Sequence, residues 1–118
     1  LPSVFHVSAR CVASDALNIF GDHSDVYACR QTGYAMMACT NPQEVMDLGA
    51  VAHLATYEAR VPFLHFFDGF RTSHQIDKVE QMDYEVLASL VDYDAVNTFK
   101  RKKAEIFRKY PYPSPQSF

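Results

Sequence analysis

The apolar residues of the chain fall into short runs separated by polar clusters, and one run stands out. Residues 61–67 are almost continuously apolar and aromatic, which is typical of a strand buried on both faces of a parallel sheet. Asp68 and Gly69 follow directly and predict a turn, in which Gly69 would take a positive φ. The polar residues 71–74 then fall in the loop at the carboxyl end of the strand, where open α/β sheets bind ligands. The same pattern also suits an ordinary capped turn, and spacing alone leaves both interpretations open.

Two other segments have the alternation or composition of short strands. Residues 4–9 alternate large and small side chains and predict a strand that ends at Arg10. Residues 26–29 predict a second short strand, which ends at Arg30. Between these two segments, the apolar positions of residues 11–20 fit a helical turn or two.

The longest helix is predicted to begin at Asn41. Asn41 can cap the helix, Pro42 suits its first position, and Glu44 can close a capping box. The helix then runs to Arg60 and delivers the chain into the apolar strand at Val61. A strand, helix and strand in this order favour a right-handed crossover within a parallel sheet.

Two helices and a proline-rich tail are predicted after the polar loop. Asp83 would cap a short helix up to Val91, and Asp94 would cap a second one from Ala95 to about Tyr110. The tail, residues 110–115, alternates with proline and is predicted to be extended or disordered. The fold class is therefore predicted as α/β, a partial doubly wound parallel sheet with flanking helices.

The length and composition of the chain argue against several classes of function. The chain has 118 residues, which suffice for one domain but not for two full ones. A net charge of −3 argues against a nucleic-acid partner, and residues 100–103, the basic cluster, are expected to form a solvated helix face. No apolar run approaches the roughly 18 to 20 residues of a membrane span, so no membrane partner is expected.

The cysteines and histidines do not have the spacing of a metal site. Cys11, Cys29 and Cys39 are odd in number and lack CxxC spacing, so they are expected to be reduced thiols of an intracellular protein. The five histidines lack paired ligand spacing, although His23 and His74 lie in polar loops and are the better candidates for contact with a ligand. Neither a glycine-rich phosphate loop nor a nucleophile elbow occurs.

Three arginines, each placed directly after or just beyond a predicted strand, form a candidate binding site for an anion. If these strands are parallel neighbours, the guanidinium groups of Arg10, Arg30 and Arg71 would converge at one edge of the sheet. Guanidinium forks suit carboxylate or phosphate oxygens. The alternative, that each arginine pairs with a nearby aspartate such as Asp22, Asp25 or Asp68, stays open at this point.

Several strings of the sequence resemble the first domain of pyruvate:ferredoxin (flavodoxin) oxidoreductases. The strings are FHVSAR at 5–10, IFGDHSDV at 19–26, RQTG at 30–33, QEVMD at 43–47, VAHLA at 51–55 and FFDGFRTSH at 66–74. The resemblance covers about residues 1–91, which we therefore expect to be a partial domain I. Residues 92–118 would be a helix and a proline-rich tail that lead toward the next domain. The absence of an initial methionine also suggests a processed chain or a piece of a longer one.

The resemblance implies a thiamine diphosphate enzyme that oxidatively decarboxylates pyruvate and joins the acetyl group to coenzyme A. Electrons would pass through [4Fe-4S] clusters to ferredoxin or flavodoxin. The full enzyme would hold thiamine diphosphate and Mg²⁺, and this segment would correspond to the pyrimidine-binding domain of thiamine enzymes. The implied setting is a homodimer, in the cytoplasm or in an anaerobic organelle of a eukaryote.

The resemblance assigns a role to one residue of this sequence. Arg10 corresponds to the family's ligand for the pyruvate carboxylate. Further positions are marked as possible active-site loops without individual roles: Asp22, His23, Arg30, Thr32, Asp68, Arg71 and His74. The glutamate that activates the cofactor, the Mg²⁺ motif and the cluster cysteines of the family lie outside this segment. The chain is therefore expected to have no catalytic residue and no bound cofactor of its own, and to be inactive alone. The alternatives are the same domain within a pyruvate:NADP oxidoreductase fusion, and a non-catalytic assembly domain.

Overall fold

The structure, a computed structural model, describes residues 1–110 and centres on a three-stranded parallel sheet. Its strands are β1 (Val4–Ala9), β2 (Ala35–Cys39) and β3 (Phe63–Asp68), in the spatial order β1-β3-β2. Both outer strands begin opposite Phe63, the first residue of β3. Because the strands are parallel and in step, the carboxyl ends of β1 and β3 lie side by side.

The central strand is covered on both faces, as the continuous apolar run predicts. Leu64, His65 and Phe66 are consecutive and all buried. Successive side chains of a strand point to opposite faces, so three buried neighbours require cover on both sides. On one face Phe66 packs with Ala9 and with Val26, a helical residue. The predicted α/β class with a parallel sheet is confirmed.

Four α-helices and one 3-10 turn surround the sheet within the described residues. They are α1 (Ser24–Ala28), α2 (Pro42–Ala59), the 3-10 turn Thr72–His74, α3 (Tyr84–Ser89) and α4 (Tyr93–Lys109). Helix α2 connects β2 to β3 along the chain and lies on the face of the sheet opposite to α1. None of these helices combines the length and the apolar character needed to cross a membrane.

The start of α2 follows its sequence closely. The Asn41 side chain accepts a hydrogen bond from the Glu44 amide at 3.0 Å, and Pro42 occupies the first helical position. The Glu44 carboxylate accepts hydrogen bonds from the amide and the hydroxyl of Thr40, at 2.7 and 2.8 Å. The capping interaction of Glu44 is thus made one residue earlier than a capping box at Asn41 would place it.

Two predictions for the N-terminal third are wrong. Residues 11–20 form no helix, because this segment folds back on β1 through an antiparallel bridge between Arg10 and Gly21. Its apolar side chains stay in solvent, with Leu17 91 % exposed. Residues 26–29 form no strand, since most of them belong to α1, and the second strand of the chain is β2, which the sequence did not indicate.

Two details of the caps and turns also differ from expectation. Helix α3 is capped by Asp83 as predicted, with the Glu85 amide donating at 2.8 Å. Helix α4 begins earlier than predicted, because Asp92 rather than Asp94 accepts the capping hydrogen bond, from the Ala95 amide at 2.8 Å. Gly69 does not have the positive φ predicted for it. The predicted extended tail lies outside the described residues, apart from its first residue.

The described part of the chain is far from compact. Its radius of gyration is 18.0 Å, whereas a compact domain of about this length would have roughly 13 Å. The main cluster of buried apolar residues is small, with Ala9, Val26 and Phe66 at its centre and Val7 packed against it. Such a small core indicates that much apolar surface in this part of the chain faces solvent.

Candidate functional site

The candidate site lies where β1 and β3 end side by side. The Gly69 amide, just past β3, donates a hydrogen bond to the Ala9 carbonyl at the end of β1, at 2.8 Å. The Asp25 carboxylate accepts one from the Arg10 amide, also at 2.8 Å. A second Asp25 oxygen accepts from the Val26 amide at 2.6 Å, which ties α1 to the end of β1. We call Arg10, Gly21, Asp25, Asp68 and Gly69 the strand-end site.

The side chain of Arg10 rests on Gly69. A Cβ atom at residue 69 would lie 2.7 Å from Cγ of Arg10 and 2.9 Å from its Nε, and would overlap the Ala9 carbonyl oxygen. The guanidinium donates one hydrogen bond, from Nη1 to the Ile19 carbonyl at 3.3 Å. Its other N–H groups have no protein partner among residues 1–110. Asp25 therefore binds the main chain of Arg10 and leaves the guanidinium fork available.

Asp68 shapes the turn that follows β3. Its carboxylate accepts hydrogen bonds from the amides of Arg71 and Phe70, and these bonds lower the pKa of Asp68. The positive charges of Arg71 and His23 lower this pKa further. Gly21 lies against the same carboxylate, since a Cβ atom at residue 21 would overlap it. Asp68 is thus an ionised turn-forming residue, and no ion pair joins it to Arg10.

Asp22 and His23 lie at the same edge of the sheet. Hydrogen bonds from the Ser24 side chain and amide lower the pKa of Asp22. The His23 ring packs edge-on against Phe66, with ring centroids 5.5 Å apart. His74 lies beyond the turn, where its Nδ1 is 2.8 Å from the Ser73 hydroxyl.

Arg30 and Thr32 lie away from this edge. Both precede β2, and the Ala35 amide at the start of β2 donates to the Pro62 carbonyl, next to the start of β3. The polar groups of the two side chains bond locally, Arg30 to the Tyr27 carbonyl at 3.0 Å and Thr32 to the Cys29 carbonyl at 2.6 Å. The predicted convergence of three arginines is wrong for Arg30, because it follows a helix rather than a strand.

Two residues of the site were not among the predicted site residues. Asp25 was considered only as a possible ion-pair partner of an arginine, whereas it binds the backbone amide of Arg10, and Gly21 was not considered at all. The available signal was the string GDHSD at 21–25, which sets two aspartates and a glycine immediately before the buried Val26. The string resembles an ordinary polar loop until its contacts with Arg10 and Asp68 are known.

Exposed apolar side chains lie in the two loops that border the strand-end site. Phe20 and Phe70 are 66 % and 47 % exposed, and their ring centroids lie 6.2 Å apart. Leu17 and Ile19 are exposed in the same loop that folds back on Arg10. We call these four residues the apolar rim.

The fold and the site define a parallel α/β domain with a polar strand-end edge. Over residues 1–116 the sequence matches the family described as pyruvate flavodoxin/ferredoxin oxidoreductase, thiamine diphosphate-binding. The chain belongs to this family.

Individual relatives agree with the family match. The chain is 60 % identical over 102 residues to a pyruvate:ferredoxin oxidoreductase of Moorella thermoacetica, covering 86 % of this chain and 9 % of the relative. A pyruvate-flavodoxin oxidoreductase of Klebsiella pneumoniae is 62 % identical over 101 residues, with the same coverage of both proteins. A pyruvate dehydrogenase [NADP(+)] of Cryptosporidium parvum is 48 % identical over 101 residues, which is 86 % of this chain and 5 % of the relative. The chain thus spans less than a tenth of the length of these relatives.

Residues 1–110 do not by themselves fit the diphosphate and metal end of a thiamine diphosphate site. A bound diphosphate brings a Mg²⁺ ion, which needs oxygen ligands. Within residues 1–110, no cluster of three or more histidine, cysteine or acidic side chains could hold a metal ion. The carboxylates of Asp25 and Asp68 are already committed to backbone amides. The described residues therefore supply no complete holder for the diphosphate end of the cofactor.

Proposed function

We propose that this chain works as part of a longer 2-oxo acid oxidoreductase, in which Arg10 binds the carboxylate of pyruvate. The observation that carries the proposal is the state of the Arg10 side chain. It is held in place by Gly69, its backbone is fixed by Asp25, and most of its guanidinium donors lack a protein partner in the described part of the chain. A positioned guanidinium with free donors is suited to bidentate binding of a carboxylate.

This arrangement would orient the substrate relative to the rest of the active site. Two parallel N–H···O bonds fix both the position and the plane of the carboxylate, and thereby the direction of the adjacent keto group. The side chain of Arg10 is oriented before a substrate binds by its packing on Gly69 and by its hydrogen bond to the Ile19 carbonyl. Asp22, His23, Asp68, Arg71 and His74 would line the same loops, whereas Arg30 and Thr32 would not.

The apolar rim supports the view that the site is completed by other parts of a longer protein. Four exposed apolar side chains beside a charged ligand site would ordinarily be covered. We infer that the isolated chain is inactive and that remaining domains cover the rim. In this proposal those domains hold thiamine diphosphate with Mg²⁺, the [4Fe-4S] clusters and coenzyme A. They would also form the homodimer and pass electrons to ferredoxin or flavodoxin.

A second candidate is the same domain within an NADP-linked enzyme. The observation that favours it is the 48 % identity to the Cryptosporidium parvum protein, whose name specifies NADP(+). Both candidates assign the same role to Arg10. They differ in the electron acceptor, so variants of Arg10 do not distinguish them.

The test of the proposal uses the enzyme of full family length that carries this segment. Arg10→Lys keeps the positive charge but removes the planar fork, so we expect the KM for pyruvate to rise about tenfold, with unchanged iron content. Arg30→Lys is the matched control, because Arg30 lies at the other edge of the sheet, and its KM for pyruvate should equal that of wild type. An unchanged KM in Arg10→Lys, or an equal rise in both variants, would remove Arg10 from the substrate site.

A further inference from the structure

A row of four side chains crosses the sheet on the face covered by α2, apart from the strand-end site. His53 of α2 contacts His6 of β1, with the two Nε2 atoms 3.1 Å apart. His6 contacts His65 of β3, with the two Nδ1 atoms 2.9 Å apart. His65 Nε2 lies 3.1 Å from Sγ of Cys39 in β2. We call these residues the histidine–cysteine row.

The row joins every strand of the described sheet to α2. His6 and His65 are directly opposite each other in the register of β1 and β3. Gly49 of α2 passes over them, since a Cβ atom there would lie 3.7 Å from Cε1 of both rings. His65 is fully buried and Cys39 nearly so, whereas His6 and His53 are both exposed. The row therefore runs from solvent at His53 and His6 to a buried thiol at Cys39.

Its geometry does not suit a metal ion. Each ring nitrogen in the row that makes a contact faces one neighbour, and the contacts follow one another instead of meeting at one point. In agreement, no group of ligating side chains within residues 1–110 could hold a metal ion. The row is instead a series of hydrogen bonds in which each contact holds one proton.

The number of protons that the row can hold follows from its contacts. Each of the three contacts can hold one proton between its two atoms. The outer ring nitrogen of His53 can hold a fourth proton. Cys39 Sγ can hold a fifth, which it donates to the Glu44 carbonyl at 3.6 Å. Three neutral imidazoles and a thiol carry one proton fewer than this. One added proton therefore fills the row. A second one would place two N–H groups against each other and break a contact.

We propose that the histidine–cysteine row is a proton-binding site that accepts one proton from solvent and, on the second, releases α2 from the sheet. The site thus acts as an acid-sensitive latch on the face of the sheet opposite α1. Nothing in this role depends on substrate binding at Arg10.

Burial and the mutual repulsion of the histidines favour the low-proton form of the row. Burial, and then the charge of His53, lowers the pKa of His6, and burial, His6 and His53 lower that of His65. Burial and then the negative charge of Glu44 raise the pKa of the Cys39 thiol, so it stays protonated. Near the exposed end, Tyr57 and Asp92 line one surface cavity with His53. β1, β2 and β3 contribute only His6, Cys39 and His65 to the row.

The direction of the pH dependence follows from these shifts. As the pH falls below 6.5, the ordinary value for histidine, the unfolded chain takes up protons while the folded row resists them. The stability that the row supplies is therefore fully present above pH 6.5 and is lost as the pH falls through the lowered pKa values of the folded row.

The test measures how fast Cys39 reacts with 4,4′-dithiodipyridine between pH 7.5 and 5.0 in the 118-residue chain, with mass spectrometry of the labelled peptides. Cys11 and Cys29 are half-buried and outside the row, so they serve as internal references for the chemistry of the reagent. We expect the Cys39/Cys11 rate ratio to rise about tenfold from pH 7.5 to pH 5.0, as one hydrogen-bond contact is lost. A constant ratio would overturn the proposal, and so would a Cys39 that already reacts as fast as Cys11 at pH 7.5.

Two variants separate the row from general acid sensitivity. His53→Gln removes the α2 imidazole that contacts His6, and we expect the Cys39/Cys11 rate ratio of this variant to rise less than threefold over the same pH range. His74→Gln removes a histidine outside the row and should keep the full tenfold rise. An equal pH response in both variants would contradict the latch. If Cys39 of the His53→Gln variant already reacts rapidly at pH 7.5, the Cys39/Cys11 rate ratios of wild type and His74→Gln between pH 7.5 and 5.0 test the proposal.

Discussion

Replacing Gly69 with alanine should destabilise the chain by about 3 kcal/mol or more, because the added methyl group has no space. It would overlap the Ala9 carbonyl oxygen, to which the Gly69 amide donates, and it would press on the Arg10 side chain. Ala9 is fully buried in the main core, so its backbone cannot move away without loosening Val26 and Phe66. Urea unfolding of the wild-type and variant chains measures this loss.

Gly33→Ala is the matched control for Gly69→Ala. Gly33 has a φ of +85° and nothing within 4 Å of an added Cβ, so its cost is backbone strain alone, about 1 kcal/mol. Gly69 has the opposite combination, an ordinary φ and no space. A Gly69→Ala chain as stable as Gly33→Ala would show that the strand ends of β1 and β3 are not packed as described.

Removal of the Arg10 side chain should have the largest effect on activity. In the full-length enzyme, Arg10→Ala should lower kcat/KM for pyruvate about 100-fold, mostly through KM, because two hydrogen bonds to a charged group are lost. The Asp25 contact involves only the backbone amide of Arg10, so it can persist in the variant. Steady-state kinetics give the effect, and iron content together with the unfolding transition shows whether the variant is intact. A loss of kcat with an unchanged KM would contradict a role in carboxylate binding.

The parts of the fold that the sequence predicts correctly are those with local causes. β3 is predicted because its apolar run is continuous. α2 is predicted because Asn41 and Pro42 mark its start independently of the rest of the chain. Residues 4–9 alternate as a half-buried strand does, and they form β1. In each case the signal lies within the element itself.

The incorrect predictions concern segments whose structure is decided by distant partners. Residues 11–20 have helical spacing, but the Arg10–Gly21 bridge pulls them into a loop. Strand β2 has the sequence AMMAC, whose alanines and methionines have little preference for strands. It is a strand because it pairs with β3.

The candidate site was predictable only in part for the same reason. Arg10 follows an identifiable strand and matches a family motif, so the sequence indicates it directly. The roles of Asp25 and Gly69 depend on contacts with residues 15 and 59 positions away in the chain. The histidine–cysteine row joins residues up to 59 positions apart and leaves no spacing pattern at all.

The central claim, that the Arg10 guanidinium binds a substrate carboxylate, is tested most directly by changing both partners. Pyruvamide keeps the keto group of pyruvate and replaces the carboxylate with a neutral amide. In the full-length enzyme we expect wild type to prefer pyruvate over pyruvamide about 100-fold in kcat/KM, and Arg10→Ala to prefer it less than threefold. A preference of Arg10→Ala equal to that of wild type would contradict the claim, because the carboxylate would then be recognised by another group.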